Sequence, residues 1–233
     1  MTYNDGKPHD DFYLKTDEEK EKIALEFSEG NVELKELLLA LWNSGVKTLS
    51  CCGGHPEKGE NSSPYLFAEF PRHNTRLLHN IVTWIMSSEF GSFKISFTGD
   101  CDKLEFNIHT SEENKALMFS GITRVTNNNT QLSSHSELVD FALLFSDFSS
   151  KNQLSFRYAI TKDEMRFFLV PSGYNNMFKD TDRNLEEEIH YLKTTGALRY
   201  ASYKCNIESL RKFFSLLYPN DLVNCEQFDG SVR

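Results

Sequence analysis

Apolar positions along this chain follow two periods, and each period predicts a different kind of element. Spacings of three and four residues, as in Leu34, Leu37 and Leu41, place apolar side chains on one face of a helix. Strict alternation of apolar and polar residues, as in residues 93–98, is typical of a half-buried strand. The helical spacing predicts helices within residues 16–27, 31–44, 74–85, 111–122, 134–145, 185–196 and 206–217.

The remaining apolar segments, several of them alternating, predict strands, and two neighbouring pairs of these strands form hairpins. These strands are predicted at residues 46–49, 65–70, 93–97, 104–108, 154–160, 165–169 and 200–203. Short turns at residues 99–102 and 163–164 join two pairs of them directly. Because hairpins outnumber β-α-β crossovers, the sequence predicts an α+β fold, made of two helix-plus-antiparallel-hairpin halves packed together.

A polar run suggests where the two halves divide. Residues 126–133 are rich in Asn and Thr and are predicted to form a linker. The first half then covers residues 16–125 and the second half covers residues 134–233. Residues 1–15 are predicted to be a mobile lead-in.

Charge and composition narrow the function classes. The formal net charge of −9 argues against broad electrostatic binding to nucleic acid, although a small basic cleft on an acidic body remains compatible with it. Acidic surfaces are also an ordinary means of keeping a protein soluble. No apolar run is long enough to cross a membrane, so no membrane partner is predicted. The polar N-terminus and the five irregularly spaced cysteines predict a cytoplasmic protein with free thiols.

Reactive side chains and paired glycines coincide where the first predicted strand ends. Cys52 and His55 are separated by Gly53 and Gly54, which allow a sharp turn and a close approach of backbone N–H groups to a ligand. A thiolate is a good nucleophile and an imidazole can transfer a proton, so Cys52 and His55 are the predicted catalytic residues. The alternative is structural: Cys51 is a small core side chain, while Cys52 and His55 only shape a loop.

Further ligand contacts are predicted around this turn. Ser50, Cys51 and the two glycines belong to the turn itself. Arg72 and His73 follow the second predicted strand, on the side where the turn is expected to open, and precede a helix start that can meet an anion. The familiar glycine-rich fingerprints of nucleotide-binding folds are absent from the sequence.

Metal binding at the turn has less support. Cys51, Cys52 and His55 offer suitable ligands, but zinc sites usually draw four ligands from separated pairs. No second pair is visible, and further ligands could come only through folding, from His73, His79, His109, Cys101 or Cys205. No metal site is therefore predicted.

The stretch from Asn43 to His55 resembles known proteins. Its Gly45-to-Thr48 segment and its Cys-Cys-Gly-Gly-His turn resemble uncharacterised bacterial and phage proteins that carry a Cys-Cys-x-Gly-His turn after a helix. The same stretch is more distantly similar to the wybutosine N-4 methyltransferase family of tRNA modification, in which a strand ends in Ser-Ser-Cys-Ser-Gly-Arg. The resemblance extends through the second predicted strand to Arg72.

The resemblance implies a ligand site at the turn, for S-adenosylmethionine and an RNA base. Cys52 stands at the position of the motif cysteine and Gly54 at that of the glycine. His55 stands where the methyltransferases have an arginine, and nothing beyond about residue 90 resembles them.

Besides the less supported hypothesis of a metalloprotein, two hypotheses about function follow. The first is a protein that binds a small molecule or nucleotide, with RNA as a further candidate, at the turn from Cys52 to His55, and that modifies a base as a methyltransferase does. The second is an acidic interaction module, such as a phage or pathogen-encoded inhibitor or effector, that binds a basic protein partner without catalysis.

Overall fold

The computed structural model describes residues 12–55, 63–88, 93–99, 103–128, 135–152, 154–161, 165–171, 190, 194 and 201–217. Six α-helices lie within these residues: α1 (Asp17–Phe27), α2 (Val32–Asn43), α3 (Thr75–Ser87), α4 (Lys115–Asn127), α5 (Glu137–Asn152) and α6 (Ile207–Leu217). Seven strands lie there as well: β1 (Lys47–Cys52), β2 (Tyr65–Pro71), β3 (Phe93–Gly99), β4 (Lys103–Thr110), β5 (Leu154–Thr161), β6 (Met165–Pro171) and β7 (Ala201–Cys205). The predicted α+β class is confirmed. No helix in the described ranges is both long enough and apolar enough to cross a membrane.

One antiparallel sheet contains all seven strands, in the order β1-β2-β4-β3-β5-β6-β7. The predicted hairpins β3–β4 and β5–β6 are both present, and β3 pairs with β5. Strands on either side of the predicted linker therefore share one sheet. Helix α4 continues to Asn127, so the first residues of the predicted linker are helical, and residues 129–133 lie outside the described part of the chain.

The helices cover one face of this sheet, and the hydrophobic core lies between the helices and that face. Strand β2 shows the reason, since Leu66, Ala68 and Phe70 are fully buried while the residues between them are only half-buried. A period of two along a strand sends alternate side chains to opposite faces. The buried side chains of the neighbouring strands include Ile95, Phe97, Leu104, Phe106 and Ile108, and they join Leu37, Leu41, Leu78, Ile81 and Phe145 of the helices.

Local signals in the sequence define several helix ends. Thr16 and Glu19 form the predicted capping box of α1, and hydrogen bonds from the Thr16 backbone and side chain lower the pKa of Glu19. The Asn31 side chain caps α2 by accepting from the Leu34 amide at 2.7 Å. Gly45 has a φ of +74°, the left-handed conformation predicted after α2.

The remaining predicted elements differ mainly at their ends. Strand β1 continues through Cys52, so both thiols lie on the strand rather than beyond it. Helix α5 begins at Glu137 and continues to Asn152, and the predicted cap Ser134 lies outside the described residues. The predicted loop after Pro171 and most of the predicted helix at 185–196 also lie outside them.

A glycine in α4 lets α3 approach closely, which leads to a stability prediction. A Cβ at Gly121 would lie 2.0 Å from the Cη2 atom of Trp84. Alanine gains about 1 kcal/mol of helix propensity over glycine, but overpacking a core costs about 1–3 kcal/mol. Because the approach is as short as 2.0 Å, we take the overpacking cost at the upper end of its range and expect Gly121→Ala to lower the free energy of unfolding in urea by roughly 2 kcal/mol. The neighbouring exposed Ser120→Ala should change it little, and a Gly121→Ala variant as stable as the wild type would contradict this packing.

Candidate functional site

A thiol, a phenol and an imidazole lie in one row at one end of the sheet. Cys52 of β1 is the partner of Tyr65 in β2, and Tyr65 is the partner of His109 in β4. Cys51 is the partner of the fully buried Leu66, which faces the helices. Because neighbouring residues of a strand point to opposite faces, the row from Cys52 to His109 lies on the face away from the core.

A β-bulge in β1 sets this orientation. The register shifts between Thr48 and Ser50, so that Thr48 opposes Ala68 while Ser50 opposes Phe67. Thr48 is buried on the helix side, where its hydroxyl accepts a hydrogen bond from Trp42 Nε1 at 2.9 Å. The extra residue of the bulge reverses the alternation that follows it. Without the bulge, Ser50 would face the core, as would Cys52.

The turn after β1 is held in place by its glycines. The Gly54 N–H donates to Cys52 Sγ at 3.3 Å. Gly54 has a φ of +84°, and a Cβ there would lie 1.6 Å from Glu112 Oε1 and 2.9 Å from Pro64 Cγ. Gly53 lies against Asn31, at the start of α2. The Gly54 amide is therefore engaged by the thiol sulfur, and a side chain on this residue would require Glu112 to move.

Carboxylates surround the turn. His55 Nε2 lies 3.3 Å from Glu29 Oε2 in the α1–α2 connection. On the other side, Glu112 Oε2 pairs with Lys115 at 2.6 Å, while Glu112 Oε1 is buried with no hydrogen-bond partner among the described residues. Nearby carboxylates disfavour an anion, so this geometry suits a ligand that donates hydrogen bonds. His55 is oriented by a carboxylate, as a proton-transferring histidine commonly is.

The two adjacent cysteines differ in environment. Cys51 packs against the hydrophobic core. Burial, together with the nearby Cys52 and Glu29, raises the pKa of the Cys51 thiol to about 12. It is therefore a neutral side chain at physiological pH. Cys52 lies on the opposite face of the strand, and only its thiol belongs to the row with Tyr65.

Arg72 is not brought to this turn, which corrects the expected placement. Strand β2 runs from Tyr65, opposite Cys52, to Pro71, and Arg72 follows at its far end. Six strand steps separate the two ends by about 20 Å. There Arg72 Nη2 donates to the Leu143 carbonyl at 3.2 Å and pairs with Asp147 of α5. His73 shares this short helical segment, and its side chain lies outside the described structure.

A second polar cluster joins α3 to the start of α5. The rings of His79 and His135 stack at 5.3 Å, and the Asp140 carboxylate lies between their Nε2 atoms, 3.7 Å from His79 and 2.7 Å from His135. The Ser136 N–H donates to His79 Nδ1 at 3.1 Å. From the sequence, His79 was predicted only as a further ligand beside the cysteines, and His135 and Asp140 were not predicted, because only packing brings these segments together.

Burial changes the protonation of this cluster. Burial, with a smaller contribution from the neighbouring His135, lowers the pKa of His79 to about 4. Burial also raises the pKa of Asp140, while His135 opposes that shift. His79 is therefore neutral at pH 7. The described residues hold one group of three side chains with metal-ligating geometry, and it is this one rather than the cysteine turn.

The fold and the site define an α+β protein with a helix layer on one face of a seven-stranded antiparallel sheet, and with a polar row at one end of the other face. Comparison with protein-family models, with curated proteins and with solved structures finds no match to this chain. The resemblance of its first half to the methyltransferases therefore stays a prediction.

Proposed function

We propose that this protein binds a nucleobase or nucleoside on the sheet face beside the turn from Cys52 to His55. The observation that carries the proposal is the register that aligns Cys52, Tyr65 and His109 across three strands. This register brings the Cys52 thiol, a nucleophile, beside the Tyr65 and His109 rings, which can both stack and form hydrogen bonds. The three side chains lie next to the turn that was predicted as the site.

The aromatic pair supports a flat ligand. The Tyr65 and His109 rings lie 5.3 Å apart with 33° between their planes. The Tyr65 hydroxyl shares a 2.7 Å hydrogen bond with Ser50, which fixes the phenol. Nucleobases stack on such side chains, with about 1–3 kcal/mol per base.

Two buried acceptors support a ligand with N–H groups. Asn107 lies two residues before His109 in β4, on the same face of the sheet, and is the partner of Phe67 in β2. Glu112 Oε1 lies against Gly54. Asn107 Oδ1 and Glu112 Oε1 are both buried and have no hydrogen-bond partner among the described residues. A buried acceptor favours a donor. Adenine, cytosine and guanine each carry an exocyclic amino group with two N–H donors, whereas uracil offers the single donor N3–H. The carboxylates and the net charge of −9 favour a base or nucleoside over a polyphosphate.

We further propose that the protein modifies the base that it binds. The resemblance to the methyltransferases supports this step. S-adenosylmethionine would then supply a methyl group to the bound base, which could belong to an RNA. In that role His55, oriented by Glu29, transfers a proton, and Cys52 contacts the base as a nucleophile. A cytoplasmic location is part of the same proposal, and the free thiols Cys51, Cys52 and Cys205 accord with it.

Titration with adenosine, cytidine, guanosine and uridine, followed by amide NMR shifts, tests the binding proposal. We expect the amino-bearing nucleosides to bind and uridine to bind less well. Cys52→Ala, Tyr65→Ala and His109→Ala should each weaken binding about five- to tenfold, because each loses a contact worth about 1–1.5 kcal/mol.

The matched control is Glu69→Gln, on the same face at the other end of β2, where Glu69 pairs with Lys103. It should bind nucleosides as the wild type does. The proposal fails if the wild type binds none of the four nucleosides, or if all variants bind equally.

The alternative proposal is an interaction module that presents an acidic surface to a basic protein. The net charge of −9 favours it. Capture of a partner that weakens steeply with salt, and that ignores Cys52→Ala and Tyr65→Ala, would select this alternative over nucleoside binding.

A further inference from the structure

We propose that His79, His135 and Asp140 bind one divalent transition-metal ion, such as Zn²⁺, at the junction of α3 and α5. Their ligating atoms all lie within 4.8 Å of one another. The three residues come from two helices and the segment before α5, so the packing of the domain, and not a single helix face, assembles them. This site is separate from the proposed nucleoside site and does not depend on it.

The donor set fits the chemistry of such metals. Two imidazole nitrogens and one carboxylate oxygen are a common ligand set for Zn²⁺ and for Fe²⁺, and this set leaves positions open for water or a substrate. Asp140 already offers one oxygen to each Nε2 atom, at 3.7 and 2.7 Å. A metal ion would lie among the ligating atoms of these three side chains and be ligated by all three of them. The His135 side chain is 58% exposed, which provides a path for entry.

The His79 ring is held in place for this role. Its side chain is only 13% exposed, and its Nε2 atom faces Asp140. The Ser136 N–H donates to its Nδ1 atom at 3.1 Å, which fixes the orientation of the ring.

The hydrogen bond that Ser136 donates to His79 predicts a second measurable effect of metal binding. While His79 Nδ1 accepts from the Ser136 N–H, the ring proton must be on Nε2, the atom that faces Asp140. Coordination through Nε2 moves this proton to Nδ1, which can then no longer accept. Metal binding therefore gives up the Ser136 hydrogen bond, and the Ser136 amide should exchange faster with solvent in the metal-bound protein.

Titration of the chelator-treated full-length chain with Co²⁺ and then Zn²⁺ tests the proposal. We expect one Co²⁺ per chain, with visible d–d absorption bands and no sulfur-to-cobalt charge-transfer band, and we expect Zn²⁺ to displace the Co²⁺. His79→Gln, His135→Gln and Asp140→Asn should each weaken Co²⁺ binding by at least about tenfold, since even residues that only support a ligand often cost that much.

The matched control is His190→Gln, which removes an exposed histidine and should leave Co²⁺ affinity unchanged. His135 is exposed enough that its variant should fold, so a loss of binding there reports on ligation. The proposal is overturned if Co²⁺ in excess over the protein does not bind, if a charge-transfer band reveals thiolate ligands, or if the three variants bind as the wild type does.

Discussion

Gly54→Ala should lower the free energy of unfolding by about 2–3 kcal/mol, because two costs add at this position. An L-residue in the left-handed conformation costs about 1–2 kcal/mol, and Gly54 has a φ of +84°. The new Cβ would also lie 1.6 Å from Glu112 Oε1 and 2.9 Å from Pro64 Cγ. The Glu112 carboxylate ends a flexible side chain and can shift, so we take the overpacking cost at the lower end of its usual range, about 1 kcal/mol. Urea denaturation followed by circular dichroism measures the sum.

Gly45→Ala separates the two costs. Gly45 has a φ of +74°, but a Cβ there would have no atom within 4 Å. Its loss should therefore be confined to the conformational part, about 1–2 kcal/mol. The double variant Gly54→Ala/Glu112→Ala should recover part of the stability lost in Gly54→Ala. Equal losses in the Gly54 and Gly45 variants would show that the turn is not packed against Glu112.

Elements whose ends or faces depend only on neighbouring residues could be predicted from the sequence. The caps Thr16 and Asn31 and the left-handed Gly45 act on their own neighbours, and the alternation of β3 and β4 follows from one buried face. The pairing of β3 with β5 could not be read in the same way, because strand order depends on how distant segments pack. The bulge after Thr48 was also missed, since it appears only when β1 is aligned with β2.

The candidate site was predicted in part, for the same reason. The paired glycines identified the turn, and Cys51 packs on the core as the structural alternative expected. Arg72 was placed at the wrong end, because an antiparallel β2 runs back toward the start of β1 and carries its last residues away from Cys52. The contacts of Tyr65 with His109 and of His79 with Asp140 join residues that are distant in the sequence. Neither contact could be predicted before the fold was known.

Acidification should destabilise the protein, because His79 is held uncharged in the folded state. Its pKa is lowered from 6.5 to about 4 in the folded state. Between these values the unfolded chain binds a proton that the folded chain does not, so the unfolded state gains stability as pH falls. The stabilisation is complete above pH 6.5 and is lost as the pH drops toward 4. Because the side chain is 13% exposed, the loss from this group is about 3 kcal/mol.

His79→Gln isolates this contribution from that of its neighbours. Burial raises the pKa of Asp140, so this group favours the folded state on the acid side and partly opposes His79. Glutamine cannot titrate, yet its side-chain oxygen can accept from the Ser136 amide. With chelator present, the free energy of unfolding of His79→Gln should fall about 3 kcal/mol less between pH 7 and pH 4 than that of the wild type. His190→Gln should follow the wild type, and parallel curves for His79→Gln and wild type would mean that His79 is not held neutral by burial.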